Sequence, residues 1–529
     1  MRRSTAVLSL LVLGASGVPL LHSPAVASTA TCPEPPQLTF AAPSYVDRTR
    51  AGGEPLVATY PDGRLLYSSH AGTTHFFTPD VAAPGSAAFV QNYTGQTYFW
   101  TSDDNGKTWV FRPRLLPTQG APGSGFSDPE IAIDAAGDVF FSEINLVNVA
   151  VSRSADRGST WTLQNVGGAI LTDRQWTEAD RKDELYFVGN GQPGGTGTPA
   201  TLSSGHYISK STDGGKTFTP SIDDTVGGSG FGDLRVDKRT GTLYEAHMTG
   251  GKLSIAAFRK ARSGDLHATD TNLVADKVTM LAHWPAFDLD PSGNLYITWD
   301  ESGKGDRPAG IYYSTSTDQA RHWSTPLRVS SGTRTAIWPW IGVGDDGRVG
   351  IAWLEADKAL PGNNAETAGT YGWHIMAAVT TTGLGCTTSR IPSFSTADAT
   401  PTAIHTGTIC QGGTACQATL TDRRLGDYFS VDVDNTGRMY AGYADTQVAG
   451  AVSLPAFVRQ QGGPSLLTPH SGQSTQPIAT TGQPQVRIPR SVLPGGGLAA
   501  TGLGDLLPFW GLLMLLGLAV VCRPRRSTS

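Results

Sequence analysis

The sequence is poor in cysteine, in excess charge of one sign and in helical periodicity. Five cysteines occur in 529 residues, and 40 basic against 45 acidic residues leave a net charge of −5. The chain has no dominant basic patch, which argues against nucleic acid as a partner. The cysteines show no Cys-x-x-Cys spacing, which argues against a zinc site. Few stretches carry apolar residues at helical spacing, which favours an all-β fold.

Long apolar runs occur only at the two ends. The first follows Arg2 and Arg3, extends from Ala6 to Leu21 and precedes Ala25-Val26-Ala27. This arrangement predicts a secretory signal peptide over residues 1–27, the alternative being a structural helix. An exported chain reaches an oxidising compartment, where disulfides persist.

The second apolar run, Leu506–Cys522, precedes three arginines, and about 17 residues is the short end of a membrane span. It follows the segment Leu498-Ala499-Ala500-Thr501-Gly502. Residues 498–529 therefore resemble the sorting signal of Gram-positive surface proteins. The resemblance implies that a sortase cleaves between Thr501 and Gly502 and joins the chain to cell-wall peptidoglycan. A plain membrane tail anchor is the alternative.

Residues 459–497 are rich in Gln, Gly, Pro, Ser and Thr, a composition that cannot bury enough apolar surface to fold. They read as a flexible spacer, which leaves 33–458 as the folded body. Cys522 belongs to the anchor segment. Cys410 and Cys416 enclose a short loop and are the favoured disulfide pair, and Cys32 with Cys386 follows by elimination.

A pattern of two short strands around an Asp- or Asn-rich turn, usually with Gly, recurs through the body. Such turns are typical of β-hairpins. Units spaced about 45 to 90 residues apart, with a third strand in several of them, are typical of propeller blades. We predict one β-propeller of seven four-stranded blades, the alternative being six, with 38–44 as a closing strand. The seven units begin at Glu54, Asp128, Arg174, Asp233, Trp284, Trp338 and Asp427.

A second repeat, Ser-x-Asp-x-Gly-x-Thr-Trp, is predicted to join the third strand of a blade to the fourth. It occurs as SDDNGKTW, SADRGSTW, STDGGKTF and STDQARHW, the last of which has Ala320 and His322 at the Gly and Thr positions. These segments resemble the Asp-box, or BNR, repeat of sialidases and related propellers. The resemblance implies a structural role and a position on the face opposite the active site. The capping aspartates and packing aromatics are Asp104, Trp109, Asp156, Trp161, Asp213, Phe218, Asp318 and Trp323.

The starts of the inner strands then crowd the face opposite the Asp boxes, around the axis. Seven strands bring carboxylates, arginines and aromatics to this funnel, where aromatic faces stack on sugars and carboxylates serve as acid or base. The predicted substrate-binding residues are Glu54, Arg174, Trp176, Asp233, Arg235, Trp284, Trp340 and Asp427. The candidate catalytic residues are Tyr428 as nucleophile, with Asp128 or Glu130 as acid/base.

Purely structural roles are the alternative for the same residues. The tryptophans can plug the channel, and the charged groups can form ion pairs between blades. We expect no cofactor, although Asp128, Glu130, Asp233 and Asp427 are an alternative set of oxygen ligands for structural calcium.

Sialidases are similar in using three arginines, the first at the start of the first inner strand. Gly53 stands at that place here, while Arg174, Arg235 and Arg424 are the available rim arginines. The sequence thus predicts an exported, surface-anchored propeller that engages extracellular glycans through the funnel. The alternatives are an active exo-α-sialidase-like glycoside hydrolase and a non-catalytic protein-binding scaffold.

Overall fold

The computed structural model describes the body of the chain with gaps. The described residues are 31–70, 97–113, 127–145, 148–166, 169–193, 206–219, 222–223, 230–281, 284–305, 307–361, 365–411, 416, 421–447 and 453–468. Side chains within 165–174, 190–193 and 222–231 lie outside the description. The predicted signal peptide, most of the spacer and the sorting segment with Thr501 and Gly502 also lie outside it. In the described part, no helix is long and apolar enough to cross a membrane.

The strands form seven antiparallel sheets, which confirms the prediction of a seven-bladed propeller. Each blade begins with its inner strand. Blade 1 comprises β3 (Gly53–Thr59), β4 (Leu65–His70), β5 (Thr97–Ser102) and β6 (Val110–Phe111). Blade 2 comprises β7 (Ser127–Ile133), β8 (Val139–Asn145), β9 (Asn148–Ser154) and β10 (Thr162–Val166). Blade 3 comprises β11 (Ala169–Ala179), β12 (Leu185–Pro193), β13 (His206–Ser211) and β14 (Ile222–Asp223).

Blades 4 to 6 continue the order, with a 3-10 turn at Ala261–Ser263 and a fifth short strand in blade 6. Blade 4 comprises β15 (Gly230–Asp237), β16 (Thr242–Thr249), β17 (Lys252–Phe258) and β18 (Asp270–Ala275). Blade 5 comprises β19 (Ala286–Leu289), β20 (Leu295–Glu301), β21 (Gly310–Ser316) and β22 (Leu327–Arg328). Blade 6 comprises β23 (Ala336–Val343), β24 (Val349–Ala356), β25 (Gly372–Thr380), β26 (Ser395–Asp398) and β27 (His405–Thr406).

The last blade is closed by the beginning of the chain. It comprises β28 (Ser430–Val433), β29 (Met439–Asp445) and β30 (Leu454–Gly462), to which β1 (Thr39–Phe40) and β2 (Ser44–Tyr45) add as outer strands. The inner strands contact one another in chain order, and β28 returns to contact β3. The ring is therefore closed. Its body runs past the predicted boundary at 458, since Leu466 is fully buried against the hairpin of blade 6.

Two disulfides are present. Cys32 joins Cys386 in blade 6, and Cys410 joins Cys416, the pairs that the sequence favoured. Leu38 donates its backbone N–H to Ser395 Oγ of β26 at 3.0 Å. The N-terminal segment therefore ties blade 6 to blade 7.

The four turns that resemble Asp boxes, called Asp-box turns here, share one hydrogen-bond scheme. In the first, Gly106 donates its N–H to Ser102 Oγ at 2.9 Å, and Thr108 donates its N–H and hydroxyl to Asp104 at 2.8 and 2.6 Å. The fourth keeps the scheme with different residues. Ala320 takes the glycine position with φ 66°, and the ring Nδ1 of His322 lies 2.6 Å from Asp318 Oδ2 in place of the threonine hydroxyl.

The Asp boxes lie beside the turns that join first and second strands, on what we call the hairpin face. Arg64, in the hairpin of blade 1, donates to Asp103 of the first box at 2.7 Å. Gly214 of the third box donates its N–H to the Asp183 carbonyl in the hairpin of blade 3 at 3.0 Å. The inner strands begin on the opposite face, called here the entry face.

Candidate functional site

Most inner strands carry a β-bulge close to where they begin. The pairing of β3, β7, β11, β15 and β23 with the next strand shifts register there. Three bulges hold a non-glycine residue at positive φ: Glu54 (44°), Asp128 (47°) and Trp338 (54°). Bulges re-aim side chains, and strained backbone concentrates at functional sites. The bulges therefore set which side chains reach the axis.

On the entry face, Glu54 and Asp427 belong to a buried network. Glu54 Oε2 lies 2.9 Å from His70 Nε2, and Glu54 Oε1 accepts the Asp427 N–H at 2.9 Å. Arg423 pairs with the Asp427 carboxylate and lies 3.8 Å from Glu54. Such a network holds the entry segment of blade 7 against blade 1. It corresponds to the ion-pair alternative for these two residues.

Four aromatic rings close the axis beneath the entry face. Trp340 stacks on Tyr428 with centroids 5.6 Å apart, and Trp284 packs edge-on against Trp176 at 5.3 Å. Trp176 also approaches Tyr428, at 6.2 Å. All four side chains are buried. We call this cluster the aromatic plug.

The Tyr428 hydroxyl is poorly placed for nucleophilic attack. It donates to the Pro129 carbonyl at 3.3 Å. Burial, followed by the charges of Glu54 and Asp128, raises the pKa of Tyr428 well above its ordinary value. A nucleophilic tyrosine needs access to substrate and stabilisation of its anion, and this environment supplies neither.

A cavity of about 880 Å³ lies along the axis and opens on the hairpin face. Its mouth is formed by hairpin residues such as Tyr60, Gly137, Arg239 and Asp345. Its inner end reaches the plug at Trp340. This axial cavity therefore opens on the same face as the Asp boxes, whereas the sequence placed the site at the opposite face. Residues 71–96, 114–126 and 194–205 lie outside the description, and a funnel on the entry face stays a prediction.

Two carboxylates on the cavity wall secure the inner edges of neighbouring strands. Asp432 Oδ2 accepts the Thr59 N–H of blade 1 at 2.6 Å, and Asp288 Oδ2 accepts the Val343 N–H of blade 6 at 3.2 Å. These bonds satisfy backbone groups that lie outside the ladder of their own sheet. Burial raises the pKa of Asp432 to about 6 and also raises the pKa of Asp288. Both side chains serve the fold.

Arg235 is the basic group on the inner wall, and two carboxylates hold it. Its guanidinium lies 2.5 Å from Asp233 Oδ1 and 3.5 Å from Asp288 Oδ1. Asp233 is 2% exposed, and its second oxygen, Oδ2, has no hydrogen-bond partner in the described residues. Burial raises the pKa of Asp233 to about 7 although Arg235 opposes the shift.

Glu130 and Glu178 also line the cavity but contribute little to the fold. Glu130 is 6% exposed, and its hydrogen bond is to the N–H of its own neighbour, Ile131, at 3.2 Å. Glu178 accepts no hydrogen bond within the described part of the chain. Burial raises the pKa of both, and the charge of Asp233 raises that of Glu130 further.

The predicted site residues thus separate into three groups along the axis. Glu130, Arg235 and Trp340 line the axial cavity, with Asp233 behind Arg235. Trp176, Trp284 and Tyr428 complete the plug, and Glu54 and Asp427 form the entry network. The Asp128 carbonyl accepts a hydrogen bond from Gln175. The side chain of Arg174 lies outside the described residues.

The rim arginines with described side chains do not converge. Arg424 is held by Asp422 on the entry side and donates to the Thr446 carbonyl at 3.4 Å, whereas Arg235 lines the axial cavity. They share no described partner, which is unfavourable for a three-arginine pocket around one substrate carboxylate.

Three carboxylates elsewhere have spacing suitable for a metal ion, but an arginine already occupies the group. Asp134, Asp138 and Asp183 offer oxygen atoms within 4.8 Å of one another. Arg153 pairs with Asp138 and lies 2.9 Å from Asp183. Two of the four residues predicted as calcium ligands form ion pairs instead: Asp233 pairs with Arg235, and Asp427 pairs with Arg423. Calcium at that set stays a prediction.

Sequence reasoning missed Glu178, Asp288, Asp432, Arg423 and His70. A signal for the first three was present in WTEAD, FDLD and VDVD, where two acids alternate at the end of an inner strand. The second acid caps the hairpin, as Asp290 does for Asn294 at 3.0 Å. The first, two residues earlier, has its carboxylate on the cavity wall.

Comparisons with known proteins give distant structural likenesses. No protein family matches the chain, and no curated protein matches it. An ulvan lyase bound to -[GlcA(1-4)Rha3S]- is 10% identical, with 79% of this chain and 95% of that chain covered and a TM-score of 0.44. An α-L-arabinofuranosidase of Fusarium graminearum in complex with arabinobiose is 14% identical, with 80% and 97% covered and a TM-score of 0.42. The NanB sialidase of Streptococcus pneumoniae is 14% identical, with 79% and 70% covered and a TM-score of 0.37.

Proposed function

We propose that the chain is an exported, surface-anchored propeller that binds extracellular glycans on its axis and does not turn them over. The observation that carries the proposal is the axial cavity, which Trp340 lines together with Glu130 and Glu178, two carboxyl groups that contribute little to the fold. Carboxylates accept hydrogen bonds from sugar hydroxyls, and an indole ring offers an apolar face. The cavity volume of about 880 Å³ falls within the usual range for ligand sites.

The absence of turnover is argued from Tyr428. Its ring is in the plug, its hydroxyl is bonded to Pro129, and its pKa is raised well above the ordinary value by burial. An exo-α-sialidase-like reaction would need this group as a nucleophile, together with converging arginines. Both requirements fit the described geometry poorly.

Glycan binding is tested with the purified protein on a glycan array, followed by calorimetry on the ligands found. We expect at least one oligosaccharide to bind, and Trp340→Phe to weaken binding about tenfold because a smaller ring offers less stacking surface. Trp109→Phe, in an Asp box at the outer part of blade 1, is the matched control and should bind like the parent. Failure of every glycan to bind would overturn the proposal and favour a protein-binding scaffold.

A hydrolase is the second candidate, favoured by one observation. Burial and the charge of Asp233 raise the pKa of Glu130, and a carboxyl group with a raised pKa in a cavity is suited to general acid catalysis. A panel of aryl glycosides that includes a sialoside separates the candidates. Hydrolysis lost in Glu130→Gln and retained in Tyr428→Phe would replace the binder with an enzyme that does not use Tyr428.

Surface anchoring rests on the Leu-Ala-Ala-Thr-Gly segment, the apolar run and the basic tail, in that order. A sortase would join Thr501 to peptidoglycan after cleavage before Gly502. Thr501→Ala should therefore move the protein out of the covalent wall fraction, as followed by immunoblotting of wall and membrane fractions. Unchanged wall linkage would contradict the sortase mechanism, and a membrane-bound parent protein would favour the plain tail anchor.

A further inference from the structure

The inner wall of the axial cavity is acidic. Its charged groups beyond the hairpin turns are one arginine and four carboxylates, Glu130, Glu178, Asp288 and Asp432. Arg235 is already balanced by Asp233 and Asp288. The arginine therefore has little charge left for an anionic ligand. Acidic groups remain in excess even when Lys238 of the blade 4 hairpin, which acts electrostatically on Glu178, is counted.

Asp288 and Asp432 have a structural role, whereas Glu130 and Glu178 do not. Asp288 and Asp432 each accept an N–H of a neighbouring inner strand. Glu178 accepts no hydrogen bond in the described residues, and Glu130, 6% exposed, has the N–H of Ile131 alone among them. Burying a carboxyl group without a partner is costly, and Glu130 is buried while Glu178 is half-buried. In the described residues, neither Glu130 nor Glu178 makes a contact that offsets this cost by stabilising the fold.

A second observation favours a cationic ligand. Asp233 lies behind this wall, is 2% exposed, and leaves its Oδ2 without any hydrogen bond in the described part of the chain. Asp233 is bound to Arg235, whose side chain lines the same cavity as Glu130 and Glu178. A small positive group within reach of them would satisfy the unused oxygen atoms with charge-assisted hydrogen bonds.

We propose that the axial cavity selects glycans that carry a primary ammonium group, with that group held between Glu130 and Glu178. The inference rests on the proposed glycan binding and narrows it to amine-bearing sugars. Neutral sugars gain no ion pair there, and sugars with a carboxylate meet like charge. Selection is then a difference in affinity set by charge at one position.

The test is calorimetry with two oligosaccharides of equal length, a glucosamine tetramer and an N-acetylglucosamine tetramer. Acetylation removes the positive charge and keeps the sugar backbone. We expect the glucosamine tetramer to bind at least about tenfold more tightly, the effect of one favourable charged hydrogen bond. Equal affinities would overturn the inference and leave the glycan proposal standing.

The position of the ammonium group is tested with Glu178→Gln and Glu130→Gln, which keep the side-chain shape and remove the charge. Each should reduce the preference for the glucosamine tetramer while leaving affinity for the acetylated tetramer near that of the parent. Glu34→Gln, at an exposed site near the N-terminus, is the matched control. A preference retained in both cavity variants would overturn the assignment, and thermal unfolding checks that each variant is folded.

Spermidine, an amine without a sugar, separates the two proposals. Weaker binding of spermidine than of the glucosamine tetramer supports recognition of both amine and sugar. Equal binding of spermidine, with no response to any sugar, would overturn the glycan proposal and the inference with it.

Discussion

Gly158 has two reasons to be glycine. Its φ of 78° lies in the left-handed region, where L residues with a side chain are strained. A Cβ atom at this position would also lie 2.8 Å from the ring of Phe99, which belongs to the preceding blade. The Asp box therefore packs against its neighbour as well as capping its own turn.

Gly158→Ala should destabilise the protein by about 2–4 kcal/mol, the sum of backbone strain and overpacking. The matched control is Gly264→Ala, because Gly264 has a φ of 91° with open space around its Cβ position. The control should lose only about 1–2 kcal/mol. Chemical unfolding measures both, and equal losses would show that contact with Phe99 adds nothing.

At the scale of elements, the N-terminal segment depends on a disulfide that spans almost the whole ring. Cys32 and Cys386 are 354 residues apart in sequence, whereas Cys410 and Cys416 are 6 apart. Loop-closure entropy grows with the logarithm of this separation, so the long-range link restricts the unfolded chain far more.

Cys32→Ser should therefore lower the free energy of unfolding by roughly 3–4 kcal/mol more than Cys416→Ser. Denaturant unfolding of the two variants under non-reducing conditions gives the comparison. A larger loss from Cys416→Ser would mean that the short loop has a role in native packing that outweighs chain entropy.

The positions of the strands were easier to predict from the sequence than the backbone conformation at their starts. Alternating apolar residues around Asp- and Gly-containing turns were sufficient to place seven hairpins, because period and turn chemistry are local properties. The bulges at Glu54, Asp128 and Trp338 were not visible, since glycine, the usual signal of positive φ, is absent from those positions. The site prediction considered the starts of inner strands, so it included Glu130 near the start of β7 and missed Glu178 near the end of β11.

For the whole molecule, the buried acids predict how stability depends on pH. Burial raises the pKa of Asp432 to about 6 and that of Asp233 to about 7, and it also raises those of Glu130, Glu178 and Asp288. Unfolded carboxyl groups titrate near pH 4. Between these values the folded protein binds more protons than the unfolded chain, so stability falls as pH rises.

We expect a higher melting temperature at about pH 5 than at about pH 8, measured by calorimetry at constant ionic strength. Asp432→Asn should flatten this dependence, because it removes one half-buried group whose ionisation the folded state disfavours. The Asp-box carboxylates, such as Asp104 and Asp156, have lowered pKa values and act in the other direction, at pH values below about 4. A melting temperature that rises from pH 5 to pH 8 would contradict the predicted sign.

The closure of blade 7 also has a consequence in time. Strands β1 and β2 are made early, yet their partner, β30, is the last strand of the ring. During synthesis the first two strands therefore lack their partner strand until almost the entire body has been made. A chain that stalls before Leu454 has seven incipient blades and no closed ring, and its waiting strands are free to pair with the wrong neighbour.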